Sequence, residues 1–154
     1  MLPVHSKLDI VRHSQMLLAS YRHWTGNSLI EPNVDALQAA NALFEAPIAV
    51  LSHGVEADPI LNYGNQTALR LWEMEWDEFT RFPSRQTAEA MDQEERARFL
   101  DAVGKRGFID RYRGIRIAKG GRRFRIENAI VWNLVDEQGS YRGQAASFDR
   151  WEFL

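Results

Sequence analysis

Residues 60–89, ILNYGNQTALRLWEMEWDEFTRFPSRQTAE, pass from an apolar strand into Asn65. They continue through a helix-forming segment carrying Trp72, Trp76 and Phe79 to a Pro83-Ser84-Arg85 turn. Just upstream, APIAVLSHG is a short apolar run that ends at Gly54. With Glu56-Ala57-Asp58-Pro59 as the connection, this run and ILNY read as a β-hairpin. Asn65 is a residue type preferred at a helix N-cap, where a side-chain oxygen takes up a free backbone N–H, and the same side chain could hydrogen-bond a ligand. Trp72, Trp76, Phe79 and Phe82 fit either core packing or contact with a bound molecule, packing being the commoner use of large aromatics. The stretch therefore describes the edge of a sheet followed by something that covers it.

Toward the N-terminus, LDIVRHSQMLLASY sets Ile10, Val11, Ser14, Leu17, Leu18 and Tyr21 on one helical stripe, and Thr25-Gly26-Asn27 ends the helix. A second helix is expected after Asn33 as its cap, running through Leu37, Ala40 and Phe44 until Pro47. Toward the C-terminus, Asp92 and Glu95 have the spacing of a capping box. Arg96, Phe99, Leu100 and Val103 continue that helix, and Gly104 and Gly107 supply a stop. Three strands follow, FIDRYRGIRIAK, RRFRIENAIVWNLVD and YRGQAASFDRWEF, joined by turns at Gly120-Gly121 and Gly139 into an antiparallel meander. Period two puts Phe124, Ile126, Ile130, Trp132 and Leu134 on one face of the middle strand, with Asn128 as the polar interruption. An inward Asn128 needs a partner, internal or ligand, or costs about 1–3 kcal/mol.

Two strands before the central helices and three after them give an α+β fold. It is a PAS-like five-stranded antiparallel sheet with helices on one face, preceded by two N-terminal helices. The 154 residues suit one domain, with 1–45 as an N-terminal helical extension. The stripe on the first helix is too continuous to leave in water. It is covered either by the chain's own sheet or by a second copy, and a homodimer through this helix and the outer sheet face is expected.

Composition removes several chemistries. With no cysteine there is no disulfide, zinc knuckle, iron–sulfur ligation, thiol nucleophile or cysteinyl flavin adduct. No apolar run is long enough to span a membrane, and Lys7, Asp9 and Arg12 sit where a signal peptide needs an apolar core, so a cytoplasmic protein without a membrane partner is expected. The four histidines, at 5, 13, 23 and 53, lie outside the helix of about residues 87–103 from which PAS haem sites usually draw a ligand, and no metal site is expected. Ser52 and His53 are adjacent in a strand and point to opposite faces, so they form no dyad. KGGRR lacks the spacing of a phosphate loop.

Charge is uneven. Residues 105–125 hold nine Lys and Arg against Asp110, a net +8 that leaves −10 elsewhere. This run reads either as a nucleic-acid surface or as outward strand positions (Arg111, Arg113, Arg123, Arg125) that meet acids from the N-terminal helices or a second subunit. The second reading is preferred because the chain as a whole is slightly acidic. Glu127 and Asp149 are expected to pair with nearby arginines.

NYGNQTALRLWE…W…FPSRQTAE together with GIRIAKGGRRFRIENAIVWNLVDEQGSYRGQAASFDRW resembles the MEKHLA domain, a PAS-related module, over nearly the whole chain. The resemblance implies a sensor-like fold in which Asn65 starts the first helix after the second strand. It also implies that Trp72, Trp76, Phe79 and Phe82 belong to a lid, and that Pro83-Ser84-Arg85 turns the chain toward the helix crossing the sheet. The same module stands at the C-terminus of some plant homeodomain–leucine zipper regulators, but no stretch of these 154 residues resembles a homeodomain or leucine zipper, so that DNA-binding role is not carried over.

The function expected is a nonenzymatic sensory or regulatory module that binds a small molecule, a protein partner or both. The alternatives are a small hydratase- or isomerase-like α+β enzyme, which needs an Asp or Glu at its pocket floor, and a nucleic-acid adaptor using residues 105–125. No cofactor is assigned; a noncovalent flavin or small organic ligand stays open. The pocket is expected to be small and largely apolar. The ligand-contact candidates are Asn65, Trp72, Trp76, Phe79, Arg85, Phe99, Phe124, Asn128 and Trp132, and no catalytic residue is named.

Overall fold

The computed structural model describes residues 7–32 and 35–154, with the backbone alone at Lys7, Ala90, Met91 and Asp92. Two helices come first, α1 (Lys7–Thr25) and α2 (Ala36–Glu45), then the hairpin β1 (Ala49–His53) and β2 (Leu61–Gly64). The cover follows as α3 (Gln66–Trp72), α4 (Trp76–Phe79), a 3-10 turn at Ser84–Thr87 and α5 (Ala90–Arg106). Strands β3 (Phe108–Ile117), β4 (Arg123–Val135), β5 (Tyr141–Phe148) and β6 (Arg150–Phe153) complete the chain. The sheet is antiparallel in the order β2-β1-β5-β4-β3. β6 joins it as a sixth strand, continuing the line of β5 past Asp149 in the same antiparallel register to pair with Phe124–Glu127 of β4.

Alternation along β1 assigns two faces. Ala49 and Leu51 pack with Trp72, Phe79 and Val103 under α3–α5. Val50 packs with Ile10, Leu17, Tyr21, Leu43 and Phe44 under α1 and α2. The helices between the strands thus share one face, and the N-terminal pair covers the other. The stripe expected on α1 is spent inside the chain: Ile10, Ser14, Leu17 and Tyr21 are buried against α2 and the sheet.

β4 departs from the expected single face. Phe124 and Ile126 belong to the α3–α5 side together with Ala129 and Val131, whereas Ile130, Trp132 and Leu134 belong to the α1–α2 side. The cause is a bulge at Asn128, whose φ of 52° is left-handed, opposed by a second at Arg111 with φ 56° on β3. The pairing shifts by one residue at Tyr112↔Ala129 and is back in step by Gly114↔Ile126, so each strand carries one extra residue and the two cancel. Asn128 is therefore not the inward polar residue that strict alternation predicts; it is exposed. Asn tolerates left-handed backbone better than other side chains, which explains its presence here. Asn128→Gly is expected to leave stability unchanged or slightly raised, while Asn128→Val costs about 1–2 kcal/mol in urea unfolding. Equal costs for the two would show that the side chain, not the backbone, matters.

Two caps also differ from expectation. α2 is capped by Asp35, whose carboxylate accepts from Leu37 N at 2.8 Å; Asn33 lies outside the described residues. α5 already begins at Ala90 after Glu89, so Asp92 sits within its first turn instead of capping it. Gly107 ends α5 as expected, with φ 93° and its N–H on Val103 O. A side chain at Gly107 would strike the Trp24 ring.

Candidate functional site

Beneath α3–α5 a cavity of about 50 Å³ lies against the sheet. Its apolar part is built by Leu51, Leu61, Trp72, Ile126, Val131 and Phe148. Its other part is polar: His53 from β1, Ser84 and Thr87 from the 3-10 turn, Arg96 from α5, Tyr112 and Arg116 from β3, and Gln144 from β5. The bulge at Arg111 is what turns Tyr112 inward, and two residues of alternation on either side of Gly114 bring Arg116 to the same face. Phe99 lies against Tyr112 with ring centroids 3.9 Å apart and the ring planes tilted by 31°.

Arg116 is 6% exposed. Its Nη2 donates to Tyr112 OH at 2.8 Å and its Nη1 to Ile115 O at 2.9 Å. Arg96 Nη2 donates to Ser84 Oγ. Burial, and then the neighbouring Arg116 cation, bring Arg96 down to about 10. His53 Nδ1 lies 3.0 Å from Gly54 O and donates to it, which leaves Nε2 with a lone pair. Burial lowers the pKa of His53; the Gly54 bond, the Glu56 charge and the neighbouring Gln144 side chain oppose that shift, and the Arg96 cation adds to it. Nε2 of His53 and Nε1–H of Trp72 are buried with no hydrogen-bond partner among the described residues. No carboxylate lines the cavity among the described residues.

The expected contact residues divide. Trp72 and Phe99 line the cavity. Phe79 and Phe124 pack edge-on to Trp72 behind it, at 6.3 and 5.1 Å between centroids. Trp76 packs against Tyr63 and Phe44 on the α1–α2 side, and Trp132 packs there against Tyr21. Arg85 is at the surface, its Nε 3.2 Å from both Asp58 carboxylate oxygens. Asn128 is exposed outside the site. Asn65 is 0% exposed and off the cavity, and all of its polar atoms are spent internally. Ser52 and His53 do point to opposite faces: Ser52 Oγ donates to Asn62 Oδ1 at 2.6 Å and faces His13 Nε2 at 2.8 Å beneath α1. Burial there holds His13 down at about 4.

Sequence reading missed His53, Arg96, Tyr112, Arg116 and Gln144 as lining residues, while the small and largely apolar pocket it expected is what lies beneath the cover. Of the basic run, Arg123 pairs with Glu89 of the cover, Arg125 with Glu127 and Glu152, and Lys119 with Glu78. These acids come from the cover, from β4 itself and from β6, where the N-terminal helices or a second subunit were expected. No helix among the described residues is long and apolar enough to cross a membrane.

The fold has solved counterparts. The PAS domain of a Colwellia psychrerythraea protein superposes with a TM-score of 0.64 at 15% identity, over 76% of this chain and 94% of that one. An RNA-binding light-oxygen-voltage receptor gives 0.63 at 18% identity, over 79% of this chain and 34% of that one. A light-oxygen-voltage domain, from work on its mechanism with a flavin analogue, gives 0.60 at 15% identity, over 76% of this chain and 84% of that one. No curated protein sequence matches. The family model for the MEKHLA domain matches residues 11–153, from the middle of the first turns of α1 to the end of β6. On that match, and with a PAS-type sheet, cover and cavity behind it, the chain belongs to the MEKHLA domain family.

Proposed function

We propose that this chain is a cytoplasmic, nonenzymatic PAS-type sensory module that binds a small molecule beneath α3–α5. The carrying observation is the cavity itself: packed aromatics close it on one side, yet two of its lining residues keep an unpartnered buried polar atom. Native interiors seldom leave such groups unpaired unless something else binds them. Occupancy can be passed on through α5, which is joined to the 3-10 turn by Arg96 on Ser84, to β5 by Gln144 on Leu100 O and to β3 by Phe99 against Tyr112.

The enzyme reading needs an acid at the pocket floor, and the described lining supplies none. The nucleic-acid reading is weakened by the ion pairs that occupy Lys119, Arg123 and Arg125. Self-association as a homodimer remains part of the proposal. It has to use surfaces other than the α1 stripe, such as those around Leu8, 65% exposed, or Phe153 and Leu154.

Native mass spectrometry of freshly purified protein tests this reading. The expected spectrum shows the chain with a small adduct that is lost on denaturation, and the protein shows no visible absorption, because a flavin-sized ring system is far larger than the cavity. A bare chain in every preparation, with no melting-temperature shift from a broad set of metabolites, would overturn it.

A further inference from the structure

Within the same cavity, two arginine side chains line a space that no described carboxylate enters. Arg96 arrives from α5 and Arg116 from β3. Neither forms an ion pair with a described residue, although arginines at the surface find Glu89, Glu152, Asp58 and Asp136. Among the described residues, the bonds already named use one N–H of Arg96 and two of Arg116, out of five on each guanidinium. The Trp72 indole N–H adds a further unpaired donor. A pair of like charges at a buried site is costly unless a counter-charge joins them.

Resting on the sensory reading above, we infer that the cavity takes a small organic carboxylate: its head bound between Arg96 and Arg116, its apolar body against Leu51, Leu61, Trp72 and Val131. The size agrees. A volume of about 50 Å³ is on the order of four water-sized spheres, room for an acid of a few heavy atoms. Arginine suits this head because its planar fork matches a carboxylate's two oxygens. The lone pair on His53 Nε2 is a buried acceptor without a hydrogen-bond partner among the described residues, and it favours an acid that also carries a hydroxyl donor. Burial and the Arg116 charge already strain the Arg96 cation, and a bound anion relieves both effects.

The test is a melting and calorimetric titration of the full chain with acetate, propionate, butyrate, lactate and benzoate. The neutral amides of the same acids, chloride and inorganic phosphate run alongside. At least one carboxylate is expected to raise the melting temperature and bind saturably, and its amide is not. Arg96→Met and Arg116→Met are each expected to weaken that binding about tenfold to a hundredfold, the worth of a charge-assisted hydrogen bond. Neither variant is expected to melt much below the unliganded parent, since each removes a cation that has no ion pair among the described residues; a purely structural arginine would show a clear drop. Amides that bind as well as acids, or variants that bind undiminished, would overturn the inference while leaving the sensory reading standing. So would an equal response to chloride or phosphate, which would mark an inorganic-anion site. A neutral adduct in the native mass spectrum together with silence from every acid would do the same.

Discussion

A chain that begins at Gly26 is expected to show no cooperative unfolding transition. α1 is not an appendage to the PAS core; it supplies one wall of it. Ile10, Leu17 and Tyr21 are buried against Leu43, Phe44, Val50, Trp132 and Leu134. Burying three such side chains contributes about 5–9 kcal/mol. That is comparable to the whole stability of a typical domain, about 5–15 kcal/mol. Polar links go with them. Ser20 Oγ donates to Val135 O at 3.2 Å and accepts from Val135 N at 3.0 Å, and Trp24 Nε1 donates to Asn133 O at 2.9 Å. The truncated chain would bare Trp132, Leu134 and Tyr63 and is expected to aggregate. Leu17→Ala grades the effect, with an expected loss of about 3–5 kcal/mol in urea unfolding and a cooperative transition retained. If the shortened chain stays soluble and melts within about 1 kcal/mol of the parent, α1 is a detachable subunit contact after all; a stable dimer by light scattering would place any interface elsewhere.

The order of helices and strands was legible because each signal was local: the α1 stripe, the turn residues around Gly120-Gly121 and Gly139, and the cap at Asn65. Which surface α1 covers was not, because a continuous apolar stripe reads the same whether the sheet or another subunit meets it. The face of each β4 residue was lost at Asn128. Alternation assumes an unbroken ladder, and a left-handed residue moves every later side chain to the other face. That single shift sends Trp132 to the α1 side and brings Val131 to the cavity. A pair of Asn128 and Arg111 at corresponding points of two strands was the available clue, but Arg carries no turn signal. The cavity's polar end was hidden for a similar reason. Arg96 and Arg116 stand among a run of surface arginines, and composition cannot separate a buried guanidinium from a solvated one. The last strand was legible as one run, YRGQAASFDRWEF, and β5 and β6 do follow one register along β4, with only Asp149 between them.

Asn65→Asp, a change of one atom in shape, is expected to destabilise the protein by more than Asn65→Ala does at neutral pH. Asn65 ties three segments together. Its Oδ1 accepts from Ala68 N at 3.1 Å, capping α3, and from Val50 N at 3.0 Å on β1. Its Nδ2 donates to Ile48 O at 2.7 Å and to Leu43 O at 3.1 Å, at the end of α2. Removing the side chain strands two N–H groups and two carbonyls in a site closed to water, an expected cost of about 3–5 kcal/mol. The Asp variant keeps both acceptor contacts but turns an oxygen toward both carbonyls and buries a charge, so its carboxyl is pushed above the ordinary value near 3.9. The sign of the pH dependence follows. With the folded pKa raised above the unfolded one, the variant is best off below the unfolded value, where the protonated acid can donate to one carbonyl, and it loses stability as pH rises through the folded value. Relative to the parent, the Asn65→Asp deficit should therefore shrink from pH 8 to pH 4, while the Asn65→Ala deficit stays level. A deficit that is the same at both pH values would mean that the amide's donors are not bonded to Leu43 and Ile48. If instead both variants kept parental stability and lost only the binding of a cavity ligand, Asn65 would be a contact residue and not the joint between α2, β1 and α3.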